Sequence, residues 1–118
     1  MKDSVKVSLF DGIGNPPKRV AYPCEFAGQH FAVLPLIGWT GQSKKFWQVT
    51  HRGSGWKCGG EYPTKALALE YVRRLELRAK RLGIDFATRS GRKISSHPKF
   101  EALKTYTKNL RAQLLARA

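Results

Sequence analysis

Residues 44–83 read KKFWQVTHRGSGWKCGGEYPTKALALEYVRRLELRAKRLG, and their apolar pattern changes at Pro63. Before Pro63, the segment 44–62 holds two runs that favour strands, separated by a glycine-containing turn. After Pro63, apolar residues recur every three or four positions, which is the spacing of one helix face. The stretch therefore predicts a β-hairpin over 44–62 followed by an amphipathic helix over 65–82.

Both ends of this helix carry recognisable signals. Thr64 is a suitable N-cap, because its hydroxyl can accept a hydrogen bond from a free amide of the first turn. Gly83 stands where a left-handed C-terminal residue is expected. The apolar stripe between them consists of Ala68, Val72, Leu75, Ala79 and Leu82.

The flanking sequence adds shorter elements. Residues 4–10 alternate between polar and apolar side chains, and residues 29–36 are apolar enough for a buried strand. Residues 84–95 are expected to form a basic loop. A second basic helix is expected over 98–116, with Ser96 or His97 as its cap.

These elements predict an α+β fold. The expected architecture is a small antiparallel sheet of three to four strands in the N-terminal part, packed by the 65–82 helix and followed by the 98–116 helix. The length of 118 residues suits one domain, 1–118, with a sheet part over 1–63 and a two-helix part over 64–118.

Charge is the strongest functional signal. The chain carries 22 Lys and Arg against 8 Asp and Glu, for a formal net charge of +14. Fourteen of the basic residues and four of the acidic ones lie in residues 64–118. Such a surface attracts polyanions over several ångströms of solution. Nucleic acid, and duplex DNA above all, is therefore the expected partner.

Two kinds of surface are candidates for this contact. On the hairpin, Trp47 and Val49 are expected to face the core, leaving a polar face whose Gln and Arg could read purine edges in the major groove. A polar outer face without any ligand explains the same pattern equally well. The helices and the basic loop offer Lys and Arg at spacings that meet successive phosphates, although an ordinary solvated face is the alternative. The candidate residues are Lys44, Lys45, Gln48, Thr50, Arg52, Lys57, Arg73, Arg74, Arg78, Arg81, Arg89, Arg92, Lys93, Lys104, Lys108 and Arg111.

Strands followed by a helix over residues 29–82 also resemble, in architecture, the plant AP2-type domain and the N-terminal arm-binding domains of tyrosine integrases. The resemblance implies a sheet laid in the major groove of DNA. It extends to no sequence motif of either family, and no residue roles are carried over from it.

Nothing in the sequence indicates catalysis, a cofactor or a metal. The acidic residues are dispersed, no phosphate-binding loop is present, and the cysteines and histidines lack zinc-ligand spacing. Cys58 beside Lys57 could form a reactive thiol, but a spare buried cysteine is the expected state. The start of the chain lacks an apolar leader and no run is long enough to span a membrane, so a cytoplasmic protein is expected.

Three functions remain open. The first is a small non-catalytic DNA-binding protein, an accessory or regulatory factor of a bacterial, phage or plasmid system. The second is an inhibitor of the kind that mobile elements direct at host defence, binding a host protein or nucleoprotein complex. Leu69 and Leu77 could be its exposed anchors, although packing of both under the second helix explains them as well. The third is an RNA- or ribosome-associated protein. It depends on whether Trp39, Trp47 and Trp56 stack on bases or belong to the core.

Overall fold

The computed structural model describes residues 3–10, 14–38 and 41–117. The fold is α+β, with five strands followed by helices. The elements are β1 (Asp3–Leu9), β2 (Lys18–Ala27), β3 (Phe31–Gly38), β4 (Gly41–His51), β5 (Lys57–Tyr62), α1 (Lys65–Leu82), α2 (Gly91–Ser95) and α3 (Phe100–Leu115). No helix in these ranges is both long and apolar enough to cross a bilayer.

The sheet has five antiparallel strands in the order β1-β2-β3-β4-β5, so the expected three to four strands were too few. The missed strand is β2. Its first seven residues, from Lys18 to Cys24, pair with β1, and its last three, Glu25–Ala27, pair with β3. A strand that changes neighbours along its length does not keep one buried and one wet face. Its sequence therefore lacks the regular alternation by which strands are recognised.

The sheet curls, and the curl buries both of its faces. On the helix-covered face, Phe31 lies opposite His51 and Val33 opposite Val49. On the other face, here called the inner face, Ala32 and Leu34 pack against Val5, Val7 and Cys24 of the β1–β2 ribbon. The ribbon therefore folds over a surface that a flatter sheet would leave in water.

The curl is closed by contacts between β1 and the β4–β5 turn. The Ser8 amide donates to the Gly55 carbonyl at 2.9 Å, and the Ser8 hydroxyl donates to the Ser54 carbonyl at 2.8 Å. Gly55 has a φ of 75°, and a side chain there would collide with the Lys6 carbonyl and with Ser8. Glycine is therefore required both by the turn conformation and by the close approach of β1.

This closure corrects the expectation for Gln48 and Thr50. They were expected on an exposed polar face, but they are 1% and 0% exposed on the inner face, opposite Leu34 and Ala32. Gln48 accepts from the Ile37 amide at 2.9 Å and donates to the Thr50 hydroxyl at 3.0 Å. The Ile37 amide lies at the register shift between β3 and β4, so the Gln48 carboxamide supplies a partner where the ladder is irregular.

The predicted bounds of helix α1, residues 65–82, and its predicted caps are confirmed. The Thr64 hydroxyl accepts from the Leu67 amide at 3.2 Å, and Gly83 is left-handed with a φ of 73°. The helix packs on the helix-covered face of the sheet and against α3. Its buried residues include the first four of the predicted stripe and Tyr71.

The C-terminal part differs from expectation in detail. The segment 84–95 is not all loop, because Gly91–Ser95 forms α2 with the Ser90 hydroxyl accepting from the Lys93 amide. Helix α3 begins at Phe100, and its N-cap Lys99 makes no side-chain capping bond. The Phe100 amide instead donates to the His97 carbonyl at 2.9 Å, so a turn after α2 occupies the positions expected to cap the helix.

Candidate functional site

A cleft of about 700 Å³ opens where the β2–β3 turn, the β4–β5 turn, β1 and the segment after α1 meet. Its lining includes Lys6, Arg19, Arg52 and Arg89, together with His30 and Phe26. Among the described residues, no carboxylate lines it. We call this site the cationic cleft.

Arg52 is held in the cleft by contacts with two neighbouring residues. It follows β4 in the β4–β5 turn, and its Nη1 donates to the Gln29 carbonyl at 3.3 Å. Its guanidinium carbon lies 3.5 Å from the centre of the Phe26 ring, which is exposed. Arg19 donates from Nη2 to the Gly53 carbonyl at 3.3 Å, which ties β2 to the same turn. Both guanidinium groups keep further donors for a ligand, because each has five.

Lys6 and Arg89 are the other two cations of the cleft. Lys6 is exposed because it alternates along β1 with the buried Val5 and Val7. Arg89 is also exposed, one residue before the cap of α2. Neither side chain has an acidic partner among the described residues, so both charges are available to an anion.

A buried histidine fixes the wall of the cleft. His51 is 2% exposed, and its Nε2 donates to the Phe86 carbonyl at 2.7 Å. Its Nδ1 accepts from the Ser54 amide at 3.1 Å. Burial lowers the pKa of His51, because desolvation penalises the imidazolium. The neutral ring therefore links the β4–β5 turn to the segment that carries Arg89.

The arginines predicted on α1 are mostly engaged within the protein. Arg73 and Arg74 donate to the Glu70 carboxylate at 2.6 and 2.8 Å. These hydrogen bonds, from Arg73 first, lower the pKa of Glu70 to about 2. The Arg78 guanidinium lies 4.3 Å from the centre of the Tyr106 ring on α3. An internally paired cation offers less to a phosphate, so this face is a weaker candidate than the sequence indicated.

The other predicted cations lie apart from the cationic cleft. Lys44 and Lys45 are exposed in the first half of β4, Arg81 is exposed at the end of α1, and Arg92 and Lys93 are exposed on α2. A separate group surrounds a second, apolar cavity between α2, α3 and β5. It consists of Lys57, Lys104, Lys108 and Arg111. Of the predicted residues, only Arg52 and Arg89 line the cationic cleft.

Sequence reasoning missed Lys6 and Arg19 as site residues. The alternation over 4–10 already placed Lys6 on a wet face, so its exposure had a signal. Its proximity to Arg52 had none, because that depends on the closure of the sheet. Arg19 belongs to the unrecognised strand β2.

The two cysteines are not activated as nucleophiles, and the two described tryptophans differ in exposure. Cys24 is buried and Cys58 half-buried; both are free thiols, and desolvation raises the pKa of each. Val49 is fully buried as predicted, and Trp47 packs at the edge of the core. Trp56 is 39% exposed, and Trp39 lies outside the described residues. Within the described ranges, no three His, Cys, Asp or Glu side chains lie close enough together to hold a metal ion.

Comparisons with protein-family models, with curated proteins and with solved structures found no match to this chain, so its function is inferred from the geometry of the site.

Proposed function

We propose that this protein is a non-catalytic nucleic-acid-binding protein that holds the phosphate backbone of duplex DNA in the cationic cleft. The observation that carries the proposal is the convergence of Lys6, Arg19, Arg52 and Arg89 on one concave surface that no described carboxylate lines. A concave surface of one charge sign concentrates the field, which raises the local concentration of an anionic partner.

The cleft suits phosphates better than bases. Arg and Lys dominate contacts to phosphate oxygens, which position a protein without reading sequence. The hairpin residues expected to read base edges, Gln48 and Thr50, are buried and bonded to each other. The proposal is therefore binding with little sequence preference, as suits an accessory or regulatory factor of a bacterial, phage or plasmid system.

The salt dependence of binding tests the proposal quantitatively. Four phosphate contacts predict that log K falls with log salt at a slope of about −3.6, from roughly 0.9 per contact. In the variant Lys6→Gln/Arg89→Gln, two contacts remain and the slope should fall to about −1.8. The matched control is Lys99→Gln/Arg117→Gln, which removes the same charges at exposed positions outside the cleft.

Fluorescence anisotropy of a labelled duplex, over a series of salt concentrations, measures all three slopes. Equal slopes for the cleft variant and the control would show that net charge, rather than the cleft, governs binding. A single-stranded or RNA ligand bound much more tightly than the duplex would move the proposal to the RNA-associated alternative.

A second candidate function rests on one exposed side chain. Leu77 on α1 is 54% exposed and lines a depression together with two cations, Arg73 and Lys80, and two carboxylates, Glu76 and Asp85. An exposed apolar anchor surrounded by charges of both signs suits a protein–protein interface, as in the inhibitor alternative. Leu69, the other proposed anchor, is half-buried: it packs against the core and also lines this depression.

The variant Leu77→Asp separates the two candidates. If the protein is an inhibitor, this change should abolish recovery of a protein partner from nuclease-treated host extract, while Lys6→Gln/Arg89→Gln leaves that recovery intact. The DNA-binding proposal predicts the reverse for duplex affinity.

A further inference from the structure

The second cavity, of about 520 Å³, lies between α2, α3, β5 and the end of β4. Its volume falls within the range of roughly 300–1,000 Å³ typical of small-molecule sites. The body of the cavity is apolar, with aromatic and aliphatic side chains from four elements and from the segment before α2. They include Phe31, Leu75, Phe86, Ile94, Phe100 and Leu103.

The cations of this cavity lie at its mouth. Lys57, Lys104 and Lys108 are exposed, and Arg111 is half-buried. No described lining residue is acidic. The Arg111 Nη2 donates to the Glu61 carbonyl at 3.1 Å, whereas its Nε is buried without a partner. The mouth therefore carries positive charge that nothing described in the protein neutralises.

Several other polar groups of the lining are already engaged within the protein. His51 is bonded to Ser54 and to the Phe86 carbonyl, and the Thr107 hydroxyl donates to the Lys104 carbonyl at 3.1 Å. A nucleobase placed there would lose hydrogen bonds to water without gaining enough new ones, which is costly. A hydrocarbon or plain aromatic body has no such cost.

We propose that this cavity binds a small amphipathic anion, an acyl or aryl carboxylate, with its apolar body between α2 and α3 and its carboxylate at Lys104, Lys108 and Arg111. Arg and Lys are suitable partners because charge-assisted hydrogen bonds to carboxylate are stronger than neutral ones. The site shares Phe86 with the proposed DNA-binding cleft but has its own cations, and its test does not depend on that function.

Isothermal titration with decanoate, kept below its critical micelle concentration, tests the proposal on the whole protein. Decanoate should bind, decanol should bind at least tenfold more weakly, and decyltrimethylammonium should not bind measurably. Equal binding of decanoate and decanol would reduce the site to an apolar crevice and overturn the proposal, as would the absence of decanoate binding.

Two variants assign the binding to this cavity. Lys104→Gln/Lys108→Gln should weaken decanoate binding about three- to tenfold, given the usual strength of exposed charge pairs. Lys44→Gln/Lys45→Gln removes two exposed lysines outside the cavity and should leave the affinity unchanged. Ligand-induced NMR shifts should include the Trp56 indole, which lines the cavity. Equal loss in both variants, or shifts confined elsewhere, would contradict the assignment.

Discussion

Replacing Gln48 by leucine tests whether this residue belongs to a binding surface or to the structure. Leucine leaves the Ile37 amide and the Thr50 hydroxyl without their present partner. Each unsatisfied polar group costs about 1–3 kcal/mol, and the buried leucine returns about 1–2 kcal/mol of apolar transfer. We expect a net loss of about 2–3 kcal/mol, or a fall in Tm of roughly 10 °C.

Urea denaturation followed by far-UV circular dichroism measures the free energy of unfolding, and anisotropy at low temperature measures duplex affinity of the folded protein. A double-mutant cycle supplies the control. Thr50→Val removes the hydroxyl that Gln48→Leu orphans, so the double variant should lose about 1 kcal/mol less than the sum of the single variants. Gln48→Leu that melts like the wild type, but binds duplex tenfold more weakly, would refute the burial argument and restore Gln48 as a base-reading residue.

Three further predictions follow from buried or engaged groups. Because the folded-state pKa of His51 lies below 6.5, the unfolded chain binds the proton more readily, and the free energy of unfolding should fall as the pH drops below about 6.5. His51→Gln should flatten this pH dependence of stability, and an unchanged dependence in the variant would contradict the prediction. Burial raises the pKa of Cys58 to about 12, so its alkylation at pH 8 should be at least roughly a hundredfold slower in the folded than in the unfolded protein, measured in a Cys24→Ala background. Rapid labelling of the folded protein would instead show a reactive thiolate. Arg78→Ala should lower the free energy of unfolding by about 1 kcal/mol, measured by urea denaturation, because the guanidinium packs on the Tyr106 ring, and it should leave duplex affinity unchanged. A folded variant with weaker duplex binding would place Arg78 in the binding surface.

The helices and strands were predictable where their signals lie within a few residues of one another. Helix α1 could be bounded to the residue because Thr64, Gly83 and a regular apolar stripe all act within a few positions. The hairpin of β4 and β5 was recognised for the same reason. Strand β2 was missed because it pairs first with β1 and then with β3. Its pattern of burial therefore depends on residues elsewhere in the sequence.

The candidate site was less predictable than the fold because it depends on closure of the sheet. Arg52 and Arg89 were identified from charge alone, but nothing local brings them to Lys6 and Arg19. The closure of the sheet also buries Gln48 on the inner face. Net charge indicates the sign of a partner, whereas the position of each cation is a tertiary property.

The resemblance in strand-and-helix order to sheet-based DNA readers illustrates the same limit. Those proteins lay a sheet face in the major groove, whereas here the β1–β2 ribbon packs over the inner face of the sheet. Three strands and a helix in sequence order therefore do not establish which surface remains available to a ligand.

Phe86 has a consequence for coupling between the two proposed ligand sites. It lines both the cationic cleft and the apolar cavity, and its ring lies 4.9 Å, edge to face, from that of Phe31. A small molecule that displaces this shared ring on one side reshapes the wall on the other. Thermodynamic reciprocity then requires that the polyanion alter the affinity for the small molecule by the same factor as the small molecule alters the affinity for the polyanion.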